Sequence, residues 1–478
     1  MTEKYVDLLV IGAGPAGMAA ALEAHRRGIE TLVLDENPYP GGQIYRNVSH
    51  SPLANPGVLG PEYLYGRTLV DAFSRSGVAY WPQTLAWQIT PDKRVSVTRQ
   101  GPDGGTLQIA ARAIVLAGGA QERPFPVPGW TLPGVMGVGA AQTLLKAAAL
   151  APGAPAVLAG CGPLLYLFAW QLLQAGIEIR ALLDTTAPGA YRAALPHLPG
   201  ALRASAYLAK GWRMLRAIRR AGVEHVKQVQ GLRLLGTQQV EAIEYEVAGQ
   251  VRRLQTPLVL LHQGVVPNTQ ITRSIGCDHA WDPAQLCWRP RLDAWGQTSV
   301  ADIFVAGDGG GIAGALAAEV SGRLVGLQLA HRLAGLDLAE RDAAAAGPRA
   351  ELARHLAIRP LLDSLYRPAD AFRRPPADDT VVCRCEEVTA GEIRAMARLG
   401  CVGPNQTKSF SRCGMGPCQG RFCGLTVAEL LAAEQAKPVP EVGYYRIRPP
   451  IRPITLGEVA AAIPMREDNG MARGGFPK

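Results

Sequence analysis

Five cysteines late in the chain have the type and spacing of metal ligands. Cys383 and Cys385 are one residue apart, and Cys413, Cys418 and Cys423 follow in the stretch CGMGPCQGRFC. Two thiols one residue apart can bind one iron from a single extended turn, and two more in a Gly-rich turn at a helix start can bind a second. Thiolates, a helix N-terminal dipole and backbone N–H groups directed at sulfur are what a [2Fe–2S] cluster requires. The segment therefore predicts an iron–sulfur cluster.

The predicted cluster ligands are Cys383, Cys385, Cys418 and Cys423. Cys413 competes for the fourth position, because 413/418 and 418/423 have the same spacing. The later pair is favoured, since the glycines on both sides of Cys418 offer backbone N–H groups to sulfur. A zinc site fits less well, because zinc fingers usually use C-x2-C pairs. The eight histidines show no HxxxH or HExxH spacing.

A second chemistry is indicated near the N-terminus, where a GxGxxG motif lies between a strand and a helix. Gly12 permits the tight turn, Gly14 lets the backbone approach a pyrophosphate, and Gly17 lets the helix pack close to the strand. Asp35 closes the next strand, 18 residues after Gly17, where a carboxylate accepts hydrogen bonds from a ribose. Glu36 is the neighbouring candidate. The motif predicts a dinucleotide site.

Three further segments follow in the order expected of a flavin domain. The segment GGQIYR can wrap a nucleotide phosphate or a flavin edge. The next strand ends on residues 117–119, and the segment TSVADIFVAGD places Asp308 at the end of a third strand. This order resembles that of pyridine-nucleotide-disulfide-reductase-like flavoproteins. The resemblance implies that the segment at 117–119 crosses between two domains and that Asp308 binds the ribityl chain of FAD. The predicted FAD contacts are Gly12, Gly14, Pro15, Ala16, Gly17, Asp35, Glu36, Gly42, Gln43, Arg46, Ala117, Gly118, Gly119 and Asp308.

The strand–turn–helix pattern recurs at 155–184 in a weaker form. The sequence GCGPLL keeps Gly160 and Gly162 but has Leu165 where the third small residue should be. Asp184 stands at the matching strand end, where it would exclude a 2′-phosphate. A relic domain and an NADH site are both compatible with this pattern. The redox-active C-x-x-C of disulfide reductases is missing from these domains, and Cys161, Cys277 and Cys287 are isolated, so we expect them to be buried small hydrophobic residues.

Length and composition restrict the remaining possibilities. The 478 residues predict about three domains. The net charge is +9, but the sequence contains no basic run with interleaved aromatic residues, which argues against nucleic-acid binding. Nine cysteines and an N-terminus that runs directly into a strand favour a reducing, cytoplasmic location. The uncharged run 147–177 is long enough for a membrane span, but its prolines and glycines favour a strand, a turn and a core helix.

The predicted fold class is α/β, with two Rossmann-like dinucleotide-binding domains and a small helical [2Fe–2S] domain. The FAD domain is discontinuous, at 1–120 and 290–335, and encloses the second nucleotide domain at 121–289. A linker at 336–379 precedes the cluster domain at 380–435. The tail at 436–478 is predicted to lie extended and to be ordered only against a partner, because it is rich in Pro and Arg.

Three motifs together resemble one family over nearly the whole chain. These are GGQIYR, the segment CRCEE…SRCGMGPCQGRFCG and the tail YRIRPPIRPITLGEVA. The chain is similar to the α subunits of bacterial opine oxidase, D-hydroxyproline dehydrogenase, L-proline dehydrogenase and hydrogen cyanide synthase complexes. The cluster segment resembles bacterioferritin-associated-ferredoxin-type domains, although Cys418 and Cys423 are further apart than the C-x-x-C pair of that ferredoxin.

The resemblance implies a flavin and iron–sulfur electron-relay subunit of an amine dehydrogenase. The amino-acid derivative would be oxidised in a β subunit resembling D-amino-acid oxidase. Further expectations are an FMN between subunits, a small γ subunit and peripheral association with the respiratory membrane. Two rival hypotheses remain open. One is an NAD(P)H-dependent flavoprotein reductase that feeds the cluster, and the other is a nucleotide-holding scaffold subunit.

Overall fold

The N-terminal sheet of the computed structural model, which describes residues 3–101 and 104–462, has seven strands. They are β1 (Glu3–Ile11), β2 (Thr31–Leu34), β3 (Ala79–Trp81), β4 (Thr84–Ile89), β5 (Arg94–Arg99), β6 (Gly105–Leu116) and β19 (Ile303–Val305). Their order is β3-β2-β1-β6-β5-β4, with β19 paired to β6. β1 is parallel to β2 and β6, whereas β5 is antiparallel to β4 and β6. The parallel part has the arrangement of a dinucleotide-binding sheet.

The helices beside this sheet pack closely because small residues lie at their contact. They are α1 (Pro15–His25), α2 (Pro61–Ser74) and α9 (Ala315–Ala334). A Cβ added at Gly322 of α9 would lie 2.1 Å from the carbonyl oxygen of Ala16 in α1. The glycine is therefore required for α9 to cover the helix that follows the GxGxxG turn.

The second sheet is parallel throughout and has the strand order β11-β10-β9-β15-β8. Its strands are β8 (Val135–Gly137), β9 (Ala156–Cys161), β10 (Ile179–Asp184), β11 (Glu224–Lys227) and β15 (Val259–Gln263), and α3 (Val138–Ala148) and α4 (Pro163–Gln174) belong to this domain. An antiparallel sheet of β12 (Gly231–Leu235), β13 (Ala242–Val247) and β14 (Gln250–Gln255) adjoins it. Two Rossmann-type domains are thus confirmed.

The uncharged run at 147–177 is divided between the end of α3, the strand β9, a turn and α4. Pro152, Pro155 and Gly162 lie between these elements, whereas Gly160 lies in β9 and Pro163 is the first residue of α4. Within the described ranges, every helix is too short or too polar to cross a membrane.

Short elements join the two domains. β7 (Ala120–Glu122) pairs with β16 (Val265–Pro267) where the chain passes between the sheets, and β17 (His279–Asp282) pairs with β18 (Cys287–Pro290). A helical insertion follows β10 and comprises α5 (Ala190–Ala194), α6 (Leu198–Ala201) and α7 (Ser205–Arg220). The remaining helix of this region is α8 (Gln270–Ile275).

The cysteine segment forms its own small core after three connecting helices, α10 (Leu338–Leu356), α11 (Arg359–Leu365) and α12 (Asp370–Arg373). Its elements are β20 (Val381–Cys383), β21 (Val388–Thr389), α13 (Ala390–Arg398), α14 (Pro404–Ser411), α15 (Gly424–Glu434), α16 (Val439–Val442) and α17 (Leu456–Ala462). Thr389 and Glu392 form a capping box that starts α13. Buried Val382, Ile393 and Val427 pack with the thiols of this segment.

The prediction that the tail is ordered only against a partner is wrong for residues 443–453, while residues 463–478 lie outside the described part of the chain. Tyr445, Ile447 and Ile451 are buried in the core of the cysteine segment. The backbone N–H of Ile451 donates to the carbonyl of Trp87 at 3.0 Å, and Arg452 pairs with Glu36 at 2.8 Å. The buried apolar residues between the prolines anchor the tail, so it ties the cysteine segment to the first domain.

Candidate functional site

One cavity of about 2220 Å³ runs between the two nucleotide domains and reaches the cysteine segment. This volume exceeds the roughly 300–1,000 Å³ of an ordinary small-molecule site. All predicted FAD contacts line it except Gly17 and Arg46. Of the predicted cluster ligands, Cys418 lines it as well. The cavity is therefore large enough for a dinucleotide and is bounded by both predicted redox sites.

The three glycines of the first turn have different structural roles. Gly12 has φ +106°, and a Cβ there would lie 2.5 Å from the carbonyl oxygen of Ala117. A Cβ at Gly17 would lie 1.9 Å from the carbonyl oxygen of Gly12. At Gly14 an added Cβ would meet only the Cα of Gly42, at 3.8 Å, so this position opens onto the cavity. These are the roles expected of a turn that admits a pyrophosphate at a helix N-terminus.

Asp35 holds the turn from the end of β2. One carboxylate oxygen accepts from the backbone N–H of Ala13 at 2.7 Å, and the other accepts from the backbone and side-chain N–H groups of Asn37 at 2.8 and 2.7 Å. Burial raises the pKa of this carboxyl group above its usual value. Glu36, the alternative ribose acceptor, is paired with Arg452 of the tail. Arg46 donates to the side-chain oxygen of Asn37 at 2.8 Å and so helps to orient the amide that donates to Asp35.

Asp308 also lines the cavity, in the segment before α9. One oxygen of its carboxylate accepts from the backbone N–H groups of Ala313 and Gly314 at 2.8 and 2.9 Å. These bonds fix the loop at the cavity wall, where the resemblance places the ribityl chain.

Lys146 is a functional candidate that the sequence analysis missed. Its ammonium group donates to the carbonyls of Gln43 and Ile44, each at 3.1 Å, and to the side-chain oxygen of Gln142 at 3.0 Å. These hydrogen bonds therefore fix the backbone of the turn that contains the GGQ sequence. Burial lowers the pKa of Lys146 from 10.5 to about 7. A lysine in an alanine-rich helix gives no sequence signal of this role.

The lowered pKa of Lys146 predicts an alkaline gain in stability. Between about pH 7 and 10.5 the unfolded chain binds more protons than the folded chain, so the free energy of unfolding rises with pH across this window. We expect the wild type to gain on the order of 2–3 kcal/mol between pH 7 and pH 9.5 relative to Lys146→Met, from about 1.4 kcal/mol per pKa unit. Urea unfolding at both pH values measures this difference, with the exposed Lys437→Met as the matched control. An equal pH response in the two proteins would contradict the assignment.

Asp184 lies at the end of β10, as the second nucleotide motif predicted, but its carboxylate is already hydrogen-bonded within the domain. Asp184 is fully buried, accepts from the hydroxyl of Tyr166 at 2.6 Å and from the backbone N–H of Thr186 at 2.8 Å, and does not line the cavity. Tyr166, one turn into α4, stands between this acid and the cavity. Leu165 is fully buried in the core. The geometry therefore favours the relic interpretation of this domain.

A His–Glu pair beside Gly162 was also missed, because its members are 140 residues apart. His262 Nδ1 lies 2.8 Å from a carboxylate oxygen of Glu122, and both residues line the cavity. A Cβ at Gly137 would lie 2.2 Å from the Glu122 carboxylate, so the acid packs against the start of α3. The pair therefore places two polar side chains on the cavity wall where the two domains meet.

The thiols form a buried group of three with two more at its edge. The Sγ atoms of Cys383, Cys413 and Cys423 all lie within 4.8 Å of one another, and all three residues are buried. Hydrogen bonding with Cys413 and Cys423 lowers the pKa of Cys383, because the neighbouring S–H groups stabilise its thiolate. The structure thus places Cys413 in the buried group together with Cys423, although the sequence favoured Cys423 as the fourth cluster ligand.

Cys385 and Cys418 lie together on the outer side. Cys385 is exposed, and Cys418 is half-buried on the cavity wall. A Cβ at Gly416 would lie 2.2 Å from the Cβ of Cys385, so this glycine lets the two chain segments meet. The assignment of the cluster ligands remains a prediction. The predicted ligands are Cys383, Cys385, Cys418 and Cys423, and Cys413 is a fifth thiol close enough to compete for a position.

Tyr445 of the tail covers the thiol group. Its hydroxyl donates to the carbonyl of Cys413 at 2.9 Å and lies 3.9 Å from the Sγ of Cys423. Side chains at Gly414 and Gly420 would strike its ring at 2.6 Å. These two glycines therefore make room for Tyr445, in addition to any bonding of N–H groups to sulfur.

A partly buried cation beside the cysteine segment would fit an anionic cluster. The guanidinium of Arg273 lies over the ring of Tyr444 at 4.2 Å and that of Trp288 at 5.1 Å. Its Nη2 has no hydrogen-bond partner within the described ranges. Burial lowers the pKa of Arg273 to about 10. Because a buried charge needs compensation, thiolate-bound iron nearby would match it.

Comparisons with known proteins agree with this geometry. The pyridine nucleotide-disulphide oxidoreductase family matches residues 6–322, and the sarcosine oxidase A3 domain matches residues 378–463. An opine oxidase subunit from Agrobacterium tumefaciens is 46% identical over 465 residues, which cover 95% of this chain and 92% of that protein. The HcnB subunit of hydrogen cyanide synthase from Pseudomonas protegens is 30% identical over 470 residues, covering 93% and 96%.

A solved structure has the same fold. L-proline dehydrogenase from P. horikoshii superposes with a TM-score of 0.67 at 18% identity and covers 96% of this chain and 80% of its own. The resemblance stated from the three sequence motifs is confirmed by these matches.

Proposed function

This chain belongs to the pyridine nucleotide-disulphide oxidoreductase family of flavin-dependent oxidoreductases, in the group that contains the opine oxidase subunit of Agrobacterium tumefaciens, and we propose that it is the electron-relay subunit of an amine dehydrogenase complex. The substrates proposed are amino-acid derivatives of the opine, D-hydroxyproline or proline class. The chain would carry FAD and a [2Fe–2S] cluster, and a partner subunit would oxidise the amine. We also propose that this complex lies in the cytoplasm.

One observation carries the relay proposal. The cavity wall that contains Gly14, Asp35 and Asp308 also contains Cys418 and the adjacent Arg421. A flavin exchanges electrons in pairs and an iron–sulfur cluster exchanges them singly, so two such groups on one cavity connect two-electron and one-electron chemistry.

The first domain supplies the groups that would bind FAD. The Gly12–Gly17 turn and the start of α1 would receive the pyrophosphate, and Asp35, already held by Ala13, would accept from a ribose. Asp308 and Lys146 act on the flavin side, the first from the wall before α9 and the second by holding the carbonyls of Gln43 and Ile44. His262 and Glu122 form a hydrogen-bonded pair at the cavity wall.

The cysteine segment supplies the groups that would bind the cluster. Four thiolates would come from Cys383, Cys385, Cys418 and Cys423, with Cys413 in place of one of them as the alternative. Tyr445 excludes water from the buried side. Arg273, stacked on Tyr444, would compensate the negative charge of the cluster.

Partner dependence is the test of this function. The opine oxidase subunit and HcnB are themselves subunits, which supports a multi-subunit complex. The other parts proposed for it are a partner resembling D-amino-acid oxidase, an FMN between subunits and a small γ subunit. We expect the purified chain to contain FAD and iron but to leave opines, hydroxyproline and proline unoxidised with an artificial electron acceptor. Co-purification from the native host, mass spectrometry of the partners and the same assay on the complex should recover turnover.

Two results would redirect the proposal. Turnover of an amine by the chain alone would place the substrate site in its own cavity. Bleaching of the flavin by NADH in the isolated chain would favour the NAD(P)H-dependent reductase instead. The buried, fully bonded Asp184 argues against that second outcome. A colourless folded chain would favour the scaffold hypothesis.

A further inference from the structure

The C-terminal tail closes the cavity beside the proposed dinucleotide site. The backbone N–H of Ile451 donates to the carbonyl of Trp87 in β4, and Arg452 donates to both carboxylate oxygens of Glu36, each at 2.8 Å. Glu36 follows Asp35 just after β2, and Ile451 and Arg452 line the cavity. In a dinucleotide fold the acid at this strand end binds the adenosine ribose. We call this part of the cavity the adenosine end.

The cysteine segment brings a further cation to this cavity. The backbone carbonyl of Arg421 accepts from the side-chain N–H of Gln121 at 2.8 Å, and the carbonyl of Gln419 accepts from the side chain of Gln270 at 2.9 Å. Gln121 belongs to β7 and Gln270 begins α8, so both domain-joining elements fix the loop that carries Arg421. The side chain of Arg421 is partly buried and lines the cavity.

The guanidinium of Arg421 lacks a carboxylate partner among the described residues. It donates there only to the carbonyl of Cys418, at the long distance of 3.5 Å. Glu36 is close enough to attract it, but Glu36 is already paired with Arg452, whose charge repels Arg421. A guanidinium has five N–H donors, and a partly buried charge requires compensation. Unused donors are therefore left at the adenosine end.

We propose that Arg421 binds the adenosine half of the dinucleotide, so that the cysteine segment completes a site built mainly by the first domain. A guanidinium can pair with phosphate oxygens through two parallel N–H groups and can stack on a planar ring. Asp35 and the Gly12–Gly17 turn would bind the ribose and the pyrophosphate from the first domain. The inference rests on the proposed function, because it requires a dinucleotide at this position, and it adds a contact that the nucleotide motifs do not contain.

Titration of the flavin-free, full-length chain with FAD and with ADP tests this contact. ADP has the adenosine half of FAD without the flavin, so it reports on the adenosine end alone. Arg421→Gln should weaken the binding of both ligands by about tenfold or more, which is the usual effect of losing a hydrogen bond to a charged group. The matched control is Arg398→Gln in α13, an exposed arginine paired with Glu434 outside the cavity, which should bind both ligands as the wild type does.

A second variant separates the charge of Arg421 from its effect on folding. Arg421→Lys keeps a cation and should retain part of the affinity for ADP, while circular dichroism and iron content check that each variant is folded. Unchanged binding of ADP by folded Arg421→Gln would overturn the inference, and an altered electron paramagnetic resonance spectrum in that protein would assign Arg421 to the cluster instead. In that case binding of FAD by the wild type leaves the proposed function standing. A wild type that binds neither FAD nor ADP would overturn both.

Discussion

Replacing Gly14 by Val is expected to release the flavin while leaving the fold intact. In the structure an added Cβ at Gly14 meets only the Cα of Gly42, at 3.8 Å, so the chain itself has room for a side chain. The side chain would occupy the space through which a pyrophosphate approaches the start of α1. We expect near-complete loss of FAD from acid extracts, with the folded state preserved by circular dichroism.

Two glycine controls make the Gly14 result specific. Gly347→Ala, in α10 with nothing near its added Cβ, should keep its flavin. Gly17→Val should instead damage folding, because its Cβ would lie 1.9 Å from the carbonyl oxygen of Gly12. A folded Gly14→Val protein with a full complement of FAD would show that the dinucleotide binds elsewhere.

Cys383→Ser is expected to abolish the iron–sulfur signal. Cys383 is buried within the group of three thiols and its thiolate is stabilised by both neighbours, so we expect it to be a ligand whichever of Cys413 and Cys423 is the fourth. We expect anaerobically purified variant protein to lose its iron, its acid-labile sulfide and its visible absorption, since a lost thiolate opens an iron to solvent. The buried Cys401, which lies outside the group of three, provides the control variant Cys401→Ser.

The fourth ligand is decided by one pair of variants. The sequence predicts that Cys423→Ser loses the cluster and that Cys413→Ser keeps it. The structure brings both thiols within 4.8 Å of Cys383, so iron content and the electron paramagnetic resonance spectrum must be compared in the two proteins. Loss in Cys413→Ser with a normal signal in Cys423→Ser would reverse the predicted pair. Normal iron content in Cys383→Ser would exclude a cluster in this segment.

The two nucleotide domains were predictable because their sequence pattern is local. The GxGxxG turn, the apolar strands around it and the GDGGG segment before α9 each lie within about 30 residues, and the hydrophobic periodicity of a βαβ unit is strong. The glycines could be assigned to their roles because a turn, a close helix and a ligand approach are steric requirements of the backbone.

The rest of the site depends on distant contacts that leave no periodic signal. Lys146 reaches Gln43 from more than 100 residues away, and His262 reaches Glu122 across the domain boundary. The hydrogen bond from the hydroxyl of Tyr166 to Asp184 could not be predicted, because it is a feature of side-chain packing. The tail was misjudged because its proline content hid the buried Tyr445, Ile447 and Ile451.

The position of Tyr445 sets an order of events during synthesis of the protein. A ribosome releases all five cysteines before it releases Tyr445, because Tyr445 lies 22 residues beyond Cys423. At about 5–20 residues per second this interval lasts roughly one to four seconds. During that time the buried group of three thiols would be accessible to an iron donor, until the tyrosine ring packs between Gly414 and Gly420 and covers it. Assembly of the proposed metal centre would thus have a limited period from the buried side, set by the position of Tyr445 in the sequence.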